Sequence, residues 1–100
     1  MTTFTKGELV VFRETFRATD GSTTQPTTVN AYVYYTNDSN VVTTDIVPAT
    51  MDATTKIWSA TWDTERAKGN TQVYWAMKGT GSLQGAKQGD FFIKANAANT

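Results

Sequence analysis

Two arms of strict alternation, separated by a short charged segment, constrain this chain more than any other stretch. The first reads Lys56-Ile57-Trp58-Ser59-Ala60-Thr61-Trp62, and the second reads Asn70-Thr71-Gln72-Val73-Tyr74-Trp75-Ala76-Met77-Lys78. Trp58, Ala60 and Trp62 point one way while Ile57, Ser59 and Thr61 point the other. In the second arm Val73, Trp75 and Met77 oppose Tyr74 and Ala76. A repeat of two is the signature of a half-buried strand. All three tryptophans fall on the inward phase, so the arms are expected to supply much of a core shared by two sheets. Between them, Asp63 to Gly69 combines an N-cap residue, charged side chains and a terminal glycine. That composition predicts one helical turn bridging the sheets.

The remaining segments alternate in the same way. Residues 1–6 read as a lead-in, with Phe4 pinning it to an edge. Val10, Phe12 and Phe16 share a phase against Val11, Arg13 and Thr15, and Asp20-Gly21-Ser22 marks a turn. After Gln25-Pro26, Val29, Ala31, Val33 and Tyr35 face inward, and Asn30, Tyr32 and Tyr34 face outward. Asn37-Asp38-Ser39-Asn40 is a second turn cluster. Val41 to Val47 reads as a short edge strand closed by Pro48, which cannot donate to a ladder. A glycine-rich loop, Gly79 to Gly85, precedes a last strand from Asp90 to Ala95 in which Phe91 and Ile93 are inward. Asn96 to Thr100 is a small polar tail. Threonine makes up about a fifth of the chain and leucine occurs twice. Threonine is stiff at its branched β-carbon and suits strands, and no window has helical periodicity. The expectation is an all-β sandwich of two antiparallel sheets with six to eight short strands and at most one helical turn. One hundred residues suit a single domain, 1–100, with an ordered core over about 7–95.

Nine basic and nine acidic side chains cancel, which argues against nucleic-acid and anionic-membrane partners, since both require a cationic surface. There is no cysteine, and the first residues lack the pattern of a secretory signal, so a cytoplasmic site of synthesis is expected. On that reading the sequon Asn37-Asp38-Ser39 is a chance match.

Gly7-x-x-Val10-x-Phe12, Asp20-Gly21 and Pro26-x-x-Val29-x-Ala31-x-Val33 resemble the first half of a bacterial or phage immunoglobulin-like domain. Trp58-Ser59-Ala60-Thr61-Trp62, Gly69, the alternating strand and Gly89-Asp90-Phe91-Phe92-Ile93 resemble the second half. The likeness runs from about Gly7 to Ala95, and one departure is Thr71, where the family usually has an aromatic. A free-standing copy is similar to small accessory proteins of tailed-phage particles. The resemblance therefore implies an immunoglobulin-like sandwich made in a bacterial host cytoplasm and carried in the virion, as a capsid decoration or a neck or tail component.

Catalytic chemistry finds little support. Histidine and cysteine are absent, the serines have no neighbouring base, and the aspartates fall mostly at turns where they cap their own backbone. The spacing of Gly79, Gly81 and Gly85 lacks the lysine and helix of a phosphate cradle, and no acidic triplet has calcium-ligand spacing. No enzyme activity, cofactor or metal is expected. The outward aromatics carry more information. If the strands around Val29–Tyr35, Thr71–Lys78 and Asp90–Ala95 share a sheet, then Tyr32, Tyr34, Tyr74 and Phe92 gather on one face beside Asn30, Gln72 and Ala76. Cross-strand tyrosines stabilise sheets by themselves, whereas a contiguous exposed group is an interface anchor. The second account predicts docking on a protein partner or on another copy. A carbohydrate-binding or adhesin-like module is the alternative, disfavoured by the inward phase of the tryptophans.

Overall fold

A computed structural model describes residues 2–16, 25–81 and 85–95. The turn at Asp20-Gly21-Ser22 and the tail from Asn96 lie outside them. The described chain is all-β, with strands β1 (Thr2–Thr5), β2 (Leu9–Thr15), β3 (Thr28–Thr36), β4 (Val42–Pro48), β5 (Thr50–Met51), β6 (Ile57–Asp63), β7 (Thr71–Thr80) and β8 (Gly85–Lys94). A 3-10 turn, Thr64–Arg66, separates β6 from β7. Five strands form one sheet in the order β1-β8-β7-β3-β4, and three form the other in the order β2-β6-β5. Neighbours are antiparallel except for β1, which runs parallel to β8.

Alternation accounts for how the sheets face each other. Val10 and Phe12 on β2 and Trp58, Ala60 and Trp62 on β6 are buried, as are Val29, Ala31, Val33 and Tyr35 on β3. Val73, Met77, Phe91 and Ile93 complete the opposing layer, and Phe16 is buried just beyond the end of β2. Aromatic rings join the layers: Trp62 lies 5.1 Å from Tyr35 and 6.2 Å from Phe91, while Phe12 lies 5.1 Å from Trp75. Trp75 keeps the inward phase but is only partly buried, because it stands at the lateral opening between β2 and β8. Its indole covers Gly89, where a Cβ would come within 2.9 Å of the ring.

The lead-in is a strand in its own right, with Phe4 packed edge-to-face on Phe91 at 5.2 Å. The link between the tryptophan arms is a helical turn capped by Asp63, whose carboxylate accepts from the Glu65 N–H. Gly69 does not cap it. Ala67 holds that position, and Gly69 serves a close approach in which a Cβ would sit 2.9 Å from the Ala95 Cβ. The last strand starts at Gly85 rather than Asp90, since pairing with β7 extends it through residues of weak strand preference. Gly79 and Gly85 are therefore ladder partners, not loop residues.

Buried polar groups lock this frame. The Lys6 ammonium donates to the Asp38 carboxylate (3.2 Å) and to the carbonyls of Glu65 (3.0 Å) and Ala67. It thereby ties the β1–β2 connection to the 3-10 turn and to the β3–β4 hairpin. The Thr64 hydroxyl, fully buried, donates to the Glu8 carbonyl (2.7 Å) and accepts from the Gly7 N–H (2.8 Å). The Trp58 and Trp62 N–H groups are also satisfied, donating to Gln25 Oε1 (3.1 Å) and Asp45 Oδ2 (2.9 Å). A buried indole needs such a partner for its single donor. Trp62→Ala is expected to cost about 3–5 kcal/mol in a urea-denaturation experiment. A change below about 1 kcal/mol would contradict the packing described.

Candidate functional site

The outer face of the five-stranded sheet is where the alternation leaves aromatic side chains in solvent. β3 and β7 form its centre, and their register sets Tyr34 directly opposite Tyr74 and Tyr32 opposite Ala76. Directly opposed residues on antiparallel strands have Cβ atoms about 4.5–5.5 Å apart, within side-chain reach. Tyr74 is 55% exposed, and Tyr32 and Tyr34 are half-buried. The Lys78 ammonium sits 4.9 Å from the centre of the Tyr32 ring, over its face, in a cation–π contact. Ala76, outward by phase, is nevertheless buried. Its small side chain lies between the larger side chains of this face.

The three expected tyrosines are thus on one patch. Phe92 shares the sheet face but stands one row along, half-buried, opposite Gln72 and Thr3 instead of a tyrosine. Three further residues contribute to this face. Ile46, on β4, pairs with Tyr32 and is 60% exposed. On the other side, Gln88 and Asp90 of β8 join Tyr34, Tyr74, Ala76 and Lys78 around an open depression of about 460 Å³. Asp90 accepts a hydrogen bond from the Gln72 amide. The long β8 that brings Gln88 here is the extension that weak strand preference hides.

A second polar cluster lies beneath β4. Asp45 accepts from Trp62 Nε1 (2.9 Å) and from Arg66 Nε (2.6 Å) and Nη2 (3.4 Å), and the Tyr35 hydroxyl lies near it. The donors come from β6 and the 3-10 turn, so these bonds fasten the edge strand β4 of one sheet to the other sheet. Its members satisfy one another, and among the described residues no group of three or more His, Cys, Asp and Glu side chains could hold a metal ion. No helix among them is long and apolar enough to cross a membrane. No protein-family description matches this chain, and no curated protein matches it either.

Burial favours the neutral form of Asp45, but the hydrogen bonds from Trp62, Arg66 and Tyr35 and the guanidinium charge outweigh it. They hold its carboxyl below the ordinary value of 3.8. A carboxylate depressed by folding contributes stability that is complete above its unfolded value and is lost as pH falls through the lower folded value. Asp52 is depressed too, by the Thr55 and Thr54 N–H groups, so Asp45 is isolated by comparing the wild type with Asp45→Asn. The expected urea-midpoint advantage of the wild type is constant from neutral pH down to about 4 and shrinks below it. An advantage that does not change with pH would rule out this role for the carboxylate.

Proposed function

We propose that this chain is a non-enzymatic interaction protein with an immunoglobulin-like sandwich, docking on a protein surface through the outer face of its five-stranded sheet. The observation that carries the reading is the Tyr34–Tyr74 pair, directly opposed, flanked by Tyr32 and by the exposed Ile46. Tyrosine combines a large apolar area with a hydroxyl at low conformational cost, and so anchors interfaces out of proportion to its frequency. Lys78 and Asp90 add one charge of each sign at the margin of the patch. That pattern suits a partner with a mixed polar rim and does not suit a polyanion.

Support for the immunoglobulin-like assignment comes from the strand sets. β3, β7 and β8 share one sheet, as an immunoglobulin-like topology implies for these strands, and β2, β6 and β5 form the other sheet. The same resemblance points to the particle of a tailed phage as the setting, where a compact neutral sandwich meets a repeated protein surface. A carbohydrate module would need exposed indoles as a stacking platform, whereas Trp58 and Trp62 are buried.

The test is incorporation of a tagged chain into particles, measured by mass spectrometry of purified virions. Tyr32→Ala with Tyr74→Ala is expected to keep the melting temperature within a few degrees and to abolish incorporation. Undiminished incorporation of a folded double variant would reject the face as the docking surface. Saturable quenching of tryptophan fluorescence by simple glycans, sensed through Trp75 beside the depression, would favour the carbohydrate reading instead.

A further inference from the structure

The free edge of β4 is unlike the other edges of the two sheets. Edge strands ordinarily resist pairing through charge, brevity or proline. β1 has four residues and β5 two, and β2 carries Arg13 and Glu14. β4 has seven residues, its one charge, Asp45, is on the inner phase and its proline, Pro48, stands at the very end, so Val42, Thr44 and Ile46 on the outward phase are left without either device. Val42 is 80% and Ile46 60% exposed.

Among the described residues no strand pairs with the outer backbone edge of the same residues. The Asn37 N–H donates to the Val41 carbonyl (3.0 Å) and the Ala49 N–H donates to the Val29 carbonyl (2.9 Å), one at each end of the β3–β4 ladder. An antiparallel ladder bonds every second residue to a given neighbour. The odd-numbered residues of β4 therefore bond to β3, and the N–H and C=O groups of Val42, Thr44 and Ile46 point outward. Among the described residues no strand lies on that side.

We propose that this edge pairs with the same edge of a second copy, antiparallel about a two-fold axis through Thr44. In that register Val42 of each copy lies opposite Ile46 of the other, and Thr44 lies opposite Thr44. Three N–H groups of each chain find carbonyls, and the most exposed apolar side chains of β4 cover each other. β-branched pairs and threonine pairs are favourable cross-strand neighbours. Sliding by two residues one way puts Ile46 opposite Asn40, in the hairpin turn. Sliding the other way puts Val42 opposite Pro48, which has no N–H to give. On the inner side Thr43 meets Asp45 of the second copy, whose charge is already matched by Arg66, so no like charges face each other. The neutral chain, nine charges of each sign, adds no long-range repulsion between copies.

The pairing joins two five-stranded sheets into one, bringing their tyrosine faces side by side. A strand pair of this length covers less than the about 800 Å² per partner of a stable interface. The dimer is therefore weak in dilute solution and gains occupancy where copies are crowded, as on a particle surface.

Sedimentation velocity on the purified chain, from low micromolar to millimolar, is expected to show a monomer passing to twice its mass. Val42→Lys with Ile46→Lys sets lysine opposite lysine at both outer pairs, at positions already exposed in the monomer. It is expected to raise the dissociation constant at least about tenfold with the melting temperature unchanged. Thr44→Cys, in a chain with no other cysteine, is expected to form a disulfide dimer on oxidation far faster than Thr61→Cys on the exposed side of β6. Tyr32→Ala with Tyr74→Ala is expected to dimerise like the wild type, which separates this edge from the docking face. A chain that stays monomeric at millimolar concentration, or one in which Thr44→Cys and Thr61→Cys crosslink equally, would overturn the proposal. So would a dimer lost in the tyrosine variant and kept in the lysine variant.

Discussion

Burial of two indoles with their N–H groups satisfied is the constraint on which the other features of this molecule depend. Trp58 and Trp62 project from one strand of the smaller sheet into the space beneath the larger one. Each removes a large apolar area from water, and each requires an acceptor for its single donor. Gln25 serves Trp58, at the entry to β3, and Asp45 serves Trp62, from β4. Both acceptors come from segments associated with the larger sheet. The same two side chains thus supply packing between the layers and polar bonds that hold the layers in one relative position.

That arrangement decides which surface is left over. With the inward phase of β3, β7 and β8 occupied by Val33, Val73, Met77, Phe91 and Ile93, the alternate residues have nowhere to go but solvent. Tyr32, Tyr34 and Tyr74 are outward because Val33, Tyr35, Val73 and Trp75 are inward. A slip of one residue would exchange every member of the two sets, so the tyrosine face and the core are specified by one choice. Asp45 extends the logic to the edge. By fastening β4 through Trp62 and Arg66, it holds Val42 and Ile46 in a strand paired with β3 alone among the described strands.

Much of this was legible in the residues, for a physical reason. Period-two alternation reports which face a side chain occupies, and so Val10, Phe12, Val29, Ala31, Val33, Tyr35, Trp58 and Trp62 could be assigned to the core directly. The Asn37–Asn40 turn was equally plain, because an asparagine carboxamide that accepts from Ser39 and Val41 stabilises such a hairpin locally. Alternation is silent about distance along the chain, however. The Lys6 contacts to Glu65 and Ala67 and the Arg66 contact to Asp45 join residues remote in sequence, and nothing local announces them. The early start of β8 was hidden for a related reason: Gly85 to Gly89 has little intrinsic strand preference and is extended by its ladder with β7. Trp75 follows its phase but stands at an opening between the layers, and phase alone cannot distinguish the middle of a core from its rim.

The most direct measurement of the central claim is acrylamide quenching of tryptophan fluorescence in a Trp75→Phe chain, which leaves only Trp58 and Trp62 as emitters. Buried indoles predict blue-shifted emission and a quenching constant far below that of the urea-unfolded chain. Red-shifted emission with quenching equal to the unfolded chain would mean that the two indoles do not lie between the sheets, and the account built on them would fail.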